Sequence, residues 1–164
     1  MAAPNGYSRL QIVLHWTIAA LVVFQLAINE DVRAAFRDRL RAEEGMLDPL
    51  ALLHIVVGLA VLVLALLRLS VRLLRGAPEI DKIVPAPLKW LAHLTHILLY
   101  SFIIGVPVTG AIAWFGHAEW SAELHEIGRL LLIPAIGVHI LGALVEHFVF
   151  RNDSLKRMFK ATAD

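Results

Sequence analysis

Eight histidines and no cysteine occur in this 164-residue chain, and several of the histidines stand inside long apolar runs. His15 is the first, in YSRLQIVLHWTIAALVVF. Leaving a polar group unpaired in apolar surroundings costs about 2–7 kcal/mol. An imidazole so placed needs a partner or a task, and binding a metal is its commonest task. The lack of cysteine removes disulfides, thiolate catalysis, iron–sulfur clusters, cysteine-ligated zinc and covalent haem attachment through C-x-x-C-H. The most informative spacing is His125 to His139. Fourteen residues of helix return to within about 40° of the starting face and rise about 21 Å. Two imidazoles stacked in this way suit two metal centres, each completed by a second histidine at the same level on a facing helix. Structural zinc normally gathers four ligands close together, and no such cluster is legible here. An apolar slot with two opposed imidazoles suits a six-coordinate haem, whose macrocycle supplies the other four nitrogens.

These histidines need elements to carry them. The chain is 59% hydrophobic, above the roughly 45–50% usual for soluble domains. A bilayer-crossing helix takes about 20 mostly apolar residues. Four segments qualify, at 10–28, 50–67, 88–115 and 127–150. The connections are too short for a separate soluble domain, so the expected architecture is all-α and integral to the membrane, a four-helix transmembrane bundle in one domain over 1–164. The first span is expected to stay as an anchor, because it is long for a leader peptide and runs into Asn29-Glu30-Asp31 in place of a small-residue cleavage site. Net charge is +1, which gives no electrostatic case for nucleic-acid binding; lipids are the expected surroundings. Ten of the fifteen basic residues fall in the N-terminal segment, the second connection and the C-terminal tail, among them Arg9, Arg68, Arg72, Arg75 and Lys82. The positive-inside rule therefore predicts both termini in the cytoplasm of a multi-pass inner-membrane protein. Arg33, Arg37, Arg39 and Arg41 lie on the other side, diluted by six acids between Glu30 and Asp48.

With that orientation His54 matches the outer level of His125, and His15 matches the inner level of His139. His93, His96 and His147 lie at depths comparable to the inner pair and could replace His15 or His139. Gly58, Gly105, Gly110, Gly128 and Gly137 would ease a flat macrocycle between helices. Arg68, Arg72 and Arg75 form one cationic face at i, i+4 and i+7. That face fits anionic lipid heads, or Arg72 or Arg75 could hold a haem propionate or a quinone. Glu146 beside His147 is an ionisable pair near the inner end of the fourth span, suited to quinone protonation or to snorkelling. Trp90, Trp114 and Trp120 read as interfacial belt residues, and EDVRAAFRDRLRAEEG as an outer amphipathic helix.

The stretches YSRLQIVLHW, LLHIVVGLAVLVLALLRLSVRLL, LAHLTHILLYSFIIGVPVTG, LHEIG, GVHILGAL and FRNDSLKRMF resemble the prokaryotic cytochrome b561 family, in order and over nearly the whole chain. The resemblance implies a di-haem b protein of the respiratory membrane with ligands at His15, His54, His125 and His139. It also implies oxidation of superoxide at the periplasmic side and reduction of ubiquinone. Two departures stand out: the 116–126 connection is short, and Glu146-His147 occupies a place where the family pairs two histidines near its quinone site. Competing readings are a cytochrome b anchor passing electrons between a partner dehydrogenase or hydrogenase and the quinone pool, or, without redox chemistry, a histidine-lined metal or proton transporter.

Overall fold

The structure, a computed structural model, describes residues 4, 6–27, 49–81 and 83–161. Four long helices carry the chain: α1 (Arg9–Ala27), α2 (Pro49–Arg75), α3 (Ala86–Gly116) and α4 (Glu119–Phe148). A single turn, α5 (Ser154–Arg157), follows them, and the described residues contain no strand. Each long helix is apolar and long enough to cross a membrane. Their apolar side chains are turned mostly outward. In the most apolar eighteen residues of α4 only 6% are buried inside the protein, and Leu73, Leu74, Leu141 and Val63 are fully presented to the surroundings. A surface of that kind is stable against lipid and not against water.

The helix ends explain the boundaries better than hydropathy does. Ser8 caps α1 by accepting the Gln11 backbone N–H at 3.3 Å, while Gln11 Oε1 accepts the Ser8 N–H at 3.0 Å. This is a capping box with glutamine at its third position. The α2 helix runs two turns past the expected end at 67, to Arg75, because leucines alternate with the arginines there and the arginines reach polar surroundings. It stops at Gly76, whose φ of +79° only glycine adopts without strain. Proline opens α3 in its first turn, where no backbone donor is lost. His117, in the left-handed region, turns the chain directly into α4, which begins at Glu119, two turns before the apolar run at 127. The segment read as an outer amphipathic helix, the four arginines within it and Lys82 lie outside the described residues.

Consecutive helices pack side by side: α1 on α2, α2 on α3, and α3 on α4, the last pair making the most extensive contact. By comparison α4 meets α1 and α2 only sparsely through its backbone. A small core of Ile18, Val22, Val61, Ala65 and Leu132 ties α1, α2 and α4 together at mid-height. Leu132 lies seven residues from both His125 and His139, so this layer separates two levels of the bundle. The end holding Arg9, Arg75 and Phe148 is called the inner end below, and the opposite end the outer end.

Candidate functional site

At the outer level His54, in the second turn of α2, faces His125, in the second turn of α4. Their ring centroids are 6.1 Å apart and the planes cross at 70°. The Nδ1–H of His125 donates to the Val106 carbonyl of α3 at 2.7 Å. A carbonyl only accepts, so the proton sits on Nδ1 and the Nε2 lone pair is left for a ligand, the usual arrangement of a metal-binding imidazole. Gly110 makes room for this ring: a Cβ there would lie 2.8 Å from His125 Nδ1. Ser121, fully buried, donates from Oγ to the Thr109 carbonyl at 2.8 Å and pins the start of α4 to α3. On the other side Gln25 Nε2 donates to the His54 carbonyl at 2.8 Å. Gln25 Oε1 and His54 Nδ1 are buried without hydrogen-bond partners.

This pair opens on a cavity with about 1250 Å³ of empty space, part of it continuous with the surroundings. Val22, Gly58, Phe102, Trp114 and Arg129 contribute to its walls. Trp114 is thus a buried wall residue and not part of an interfacial belt, because the α3 face that carries it turns toward His125. Trp90 and Trp120 are exposed, as a belt requires. Arg129 forms an ion pair with Glu126 one turn before it at the edge of the cavity.

At the inner level His15 of α1 faces His139 of α4, again at 6.1 Å and 70°. A metal–imidazole bond of about 2.0 Å, plus about 1.1 Å from nitrogen to ring centre, puts two rings on opposite sides of one metal about 6.2 Å apart. Both pairs match that spacing. His96 meets His139 edge-on at 5.1 Å, about 1 Å too close for such sharing, and its Nδ1–H donates to the Ala92 carbonyl of its own helix. His93 makes the same intrahelical bond to Lys89 and is exposed. Among the described residues no group of three or more His, Cys, Asp or Glu could hold a metal ion. A metal in either pair would have to bring most of its own ligands, which a haem does. The two spacings, the unpartnered His54 Nδ1 beside an apolar cavity, and the sparse contact of α4 with α1 and α2 all fit that group. Gly105 and Gly137 leave open space at their Cβ positions, whereas Gly110 and Gly128 serve close packing against His125 and Val106.

The polar inner end is built differently from its sequence reading. Glu146 accepts hydrogen bonds from Ser154 Oγ at 2.6 Å and from Asn152 Nδ2 at 3.2 Å. His147 Nδ1 bonds the Asn152 carbonyl at 3.3 Å. Together they fold the tail back beneath the bundle, where the Trp16 indole N–H donates to the Met158 carbonyl at 2.8 Å and its ring packs on Phe159. A hydrogen bond from the Lys156 ammonium, at 2.9 Å, holds the Asp153 carboxyl below the usual carboxylate range. Arg72 stands beside Arg68 and His96. The sequence reading passed over Gln11 and Gln25. Gln11 is buried and donates from Nε2 to the Gly76 carbonyl at 3.0 Å, tying α1 to the end of α2; the S-x-x-Q spacing was its signal. Gln25 has no local signal.

An all-α membrane bundle carrying two stacked, opposed imidazole pairs has the build of a membrane b-type cytochrome. The family described as Prokaryotic cytochrome b561 matches residues 6–161, and the chain belongs to it. It is therefore a membrane electron-transfer protein of a haem b family. The chain is 36% identical over 160 residues to a protein named cytochrome b562 from Cereibacter sphaeroides, covering 98% of this chain and 99% of the relative. It is 31% identical to a probable superoxide oxidase CybB of Yersinia pestis, covering 93% and 94% of the two chains. With cytochrome b561 homolog 1 of Escherichia coli it shares 27% identity over 94% and 97%.

Proposed function

We propose that the chain holds two haems b, the outer on His54 and His125 and the inner on His15 and His139. It would carry electrons from superoxide at the outer face to ubiquinone in the membrane. The observation that carries the di-haem reading is the repetition of one geometry, 6.1 Å and 70°, at two levels of a single helix. Bound there, each haem supplies a reversible one-electron couple. The protein's own residues do the rest. Val106 fixes the His125 tautomer, and the paired imidazoles close both axial positions, which favours electron exchange over binding of oxygen. The mid-height layer of Ile18, Val22, Val61, Ala65 and Leu132 keeps water from the path between levels. The superoxide and ubiquinone assignment rests on the name of the Yersinia relative; two superoxide anions give up one electron each, and the quinone takes two electrons and two protons. Orientation with both termini in the cytoplasm is supported by Arg9, Arg72, Arg75, Lys89 and Lys156, all at the inner end.

The test is a dithionite-reduced minus oxidised spectrum with haem b quantified per chain, followed by superoxide-driven reduction with ubiquinone present. Two haems and ubiquinone-dependent superoxide consumption are expected. One haem or none refutes the di-haem assignment. Two haems without superoxide reactivity, and a soluble subunit co-purifying in equal amount, refute the oxidase reading in favour of the anchor.

A further inference from the structure

Arg68 lies in the membrane-spanning part of α2 beside the inner imidazole pair, and its guanidinium is largely buried. One N–H donates to the Gln11 carbonyl at 2.6 Å, one turn nearer the inner end than His15. The charged and polar side chains around it are Tyr100, Tyr7 and Arg72, with His15, His96 and His139 also within its field. Among the described residues no carboxylate pairs with it. Glu146, the acid near His139, is taken by Asn152 and Ser154. Most of the five N–H donors of the guanidinium thus have no acceptor, and a second cation stands alongside. A buried charge of this kind is retained where an anion completes it, and the fork of an arginine matches a carboxylate in a bidentate fashion.

We propose that Arg68 binds a propionate carboxylate of the haem held at the inner pair. The inference rests on the proposed inner pairing of His15 with His139. A b-type haem brings two carboxylates of its own, and an edge directed toward the inner end places them at the level of Gln11, where the guanidinium already lies. Arg68 is then a cofactor-binding residue that fixes the rotation of the macrocycle about the axis of the two imidazoles. Its hydrogen bond to Gln11, which is itself locked to Ser8 and Gly76, holds the fork in place before the haem arrives.

The test is haem titration of full-length apoprotein carrying His125→Ala, which leaves the inner pair as the site measured. Haem b is compared with its propionate dimethyl ester, in the presence and absence of Arg68→Gln. With Arg68 present, the ester is expected to bind at least tenfold more weakly than haem b. With Arg68→Gln, haem b weakens by a similar factor and the ester penalty disappears. An ester that binds as tightly as haem b to the Arg68 protein overturns the proposal, and that arm depends on no change at Arg68. A penalty that persists unchanged in Arg68→Gln overturns it as well. If Arg68→Gln takes up no haem, Arg68→Lys replaces it and must shrink the penalty. Failure of the underlying pairing reads differently: His125→Ala protein would bind two equivalents of haem or none.

Discussion

Gly110→Ala is the most severe small change the structure offers at the outer pair. A Cβ at that position would lie 2.8 Å from His125 Nδ1 and 2.9 Å from Cε1. Ordinary contact begins near 3.4 Å, so the imidazole must withdraw by about 0.6 Å. It is not free to do so, because Nδ1 is bonded to Val106 at 2.7 Å and Gly128 already packs closely on Val106. Metal sites tolerate about 0.2 Å of error in ligand position. Overpacking of this kind costs about 1–3 kcal/mol, and weakening the Val106 bond adds about 1 kcal/mol. Alanine returns at most about 1 kcal/mol of helix propensity. The balance leaves about 1–3 kcal/mol against the outer site, which corresponds to about fivefold to a hundredfold weaker haem binding there. The assay is haem b per purified chain together with titration of apoprotein, and the inner haem serves as the internal reference. Gly142→Ala, in α4 with no atom within 4 Å of its Cβ position, is the control and should retain both haems. A Gly110→Ala protein with two tightly bound haems would refute the placement of His125 Nε2 as an outer ligand, since its ring could not have stayed where a shared metal needs it.

Two further changes test the inner end. His15→Ala should remove the inner haem while the outer one persists, whereas His96→Ala should leave two haems per chain, as the 5.1 Å approach to His139 places His96 beside the pair and not across it; the reverse pattern in pyridine haemochrome assays would reassign the ligand. Glu146→Gln removes the charged acceptor of Ser154 and Asn152 and should cost the folded tail about 1–3 kcal/mol, seen as faster proteolysis after Phe150 with ubiquinone reduction retained. Loss of ubiquinone reduction with an unchanged tail would instead make Glu146 a proton donor. Trp16→Phe, which removes the bond to Met158, should loosen the same tail by about 1 kcal/mol and leave haem content unaltered.

The four spans were legible because a run of some twenty apolar residues has few other uses, and His15, His54, His125 and His139 were legible because imidazole is costly in such runs. Helix ends were not. Hydropathy loses α2 at 67 and finds α4 only at 127, since arginines and the polar turn of Glu119 to Glu126 belong to the helix without belonging to the apolar core. Trp114 reads as a belt residue from its position near a span end, and only the rotation of α3 turns it onto the cavity. Glu146 reads as a proton donor from its depth. Its capture depends on a tail that doubles back through Arg151, at a positive φ of 52°, a reversal no periodicity announces. The Val106 carbonyl that orients His125 belongs to the backbone, which carries no residue-type signal at all.

Both pairs draw one ligand from α4, yet their partners stand on different helices, His54 on α2 and His15 on α1. A helix that returned to the same face after fourteen residues would point both imidazoles at one neighbour. The residual rotation of about 40° is what lets α4 face α2 at the outer level and α1 at the inner level. Pro134 lies between the two, where the lost backbone bond lets the halves of α4 tilt independently. The same offset explains why α4 packs tightly only on α3: its remaining circumference is given to two slots on different sides. Spacing along one helix therefore encodes the pairing across three.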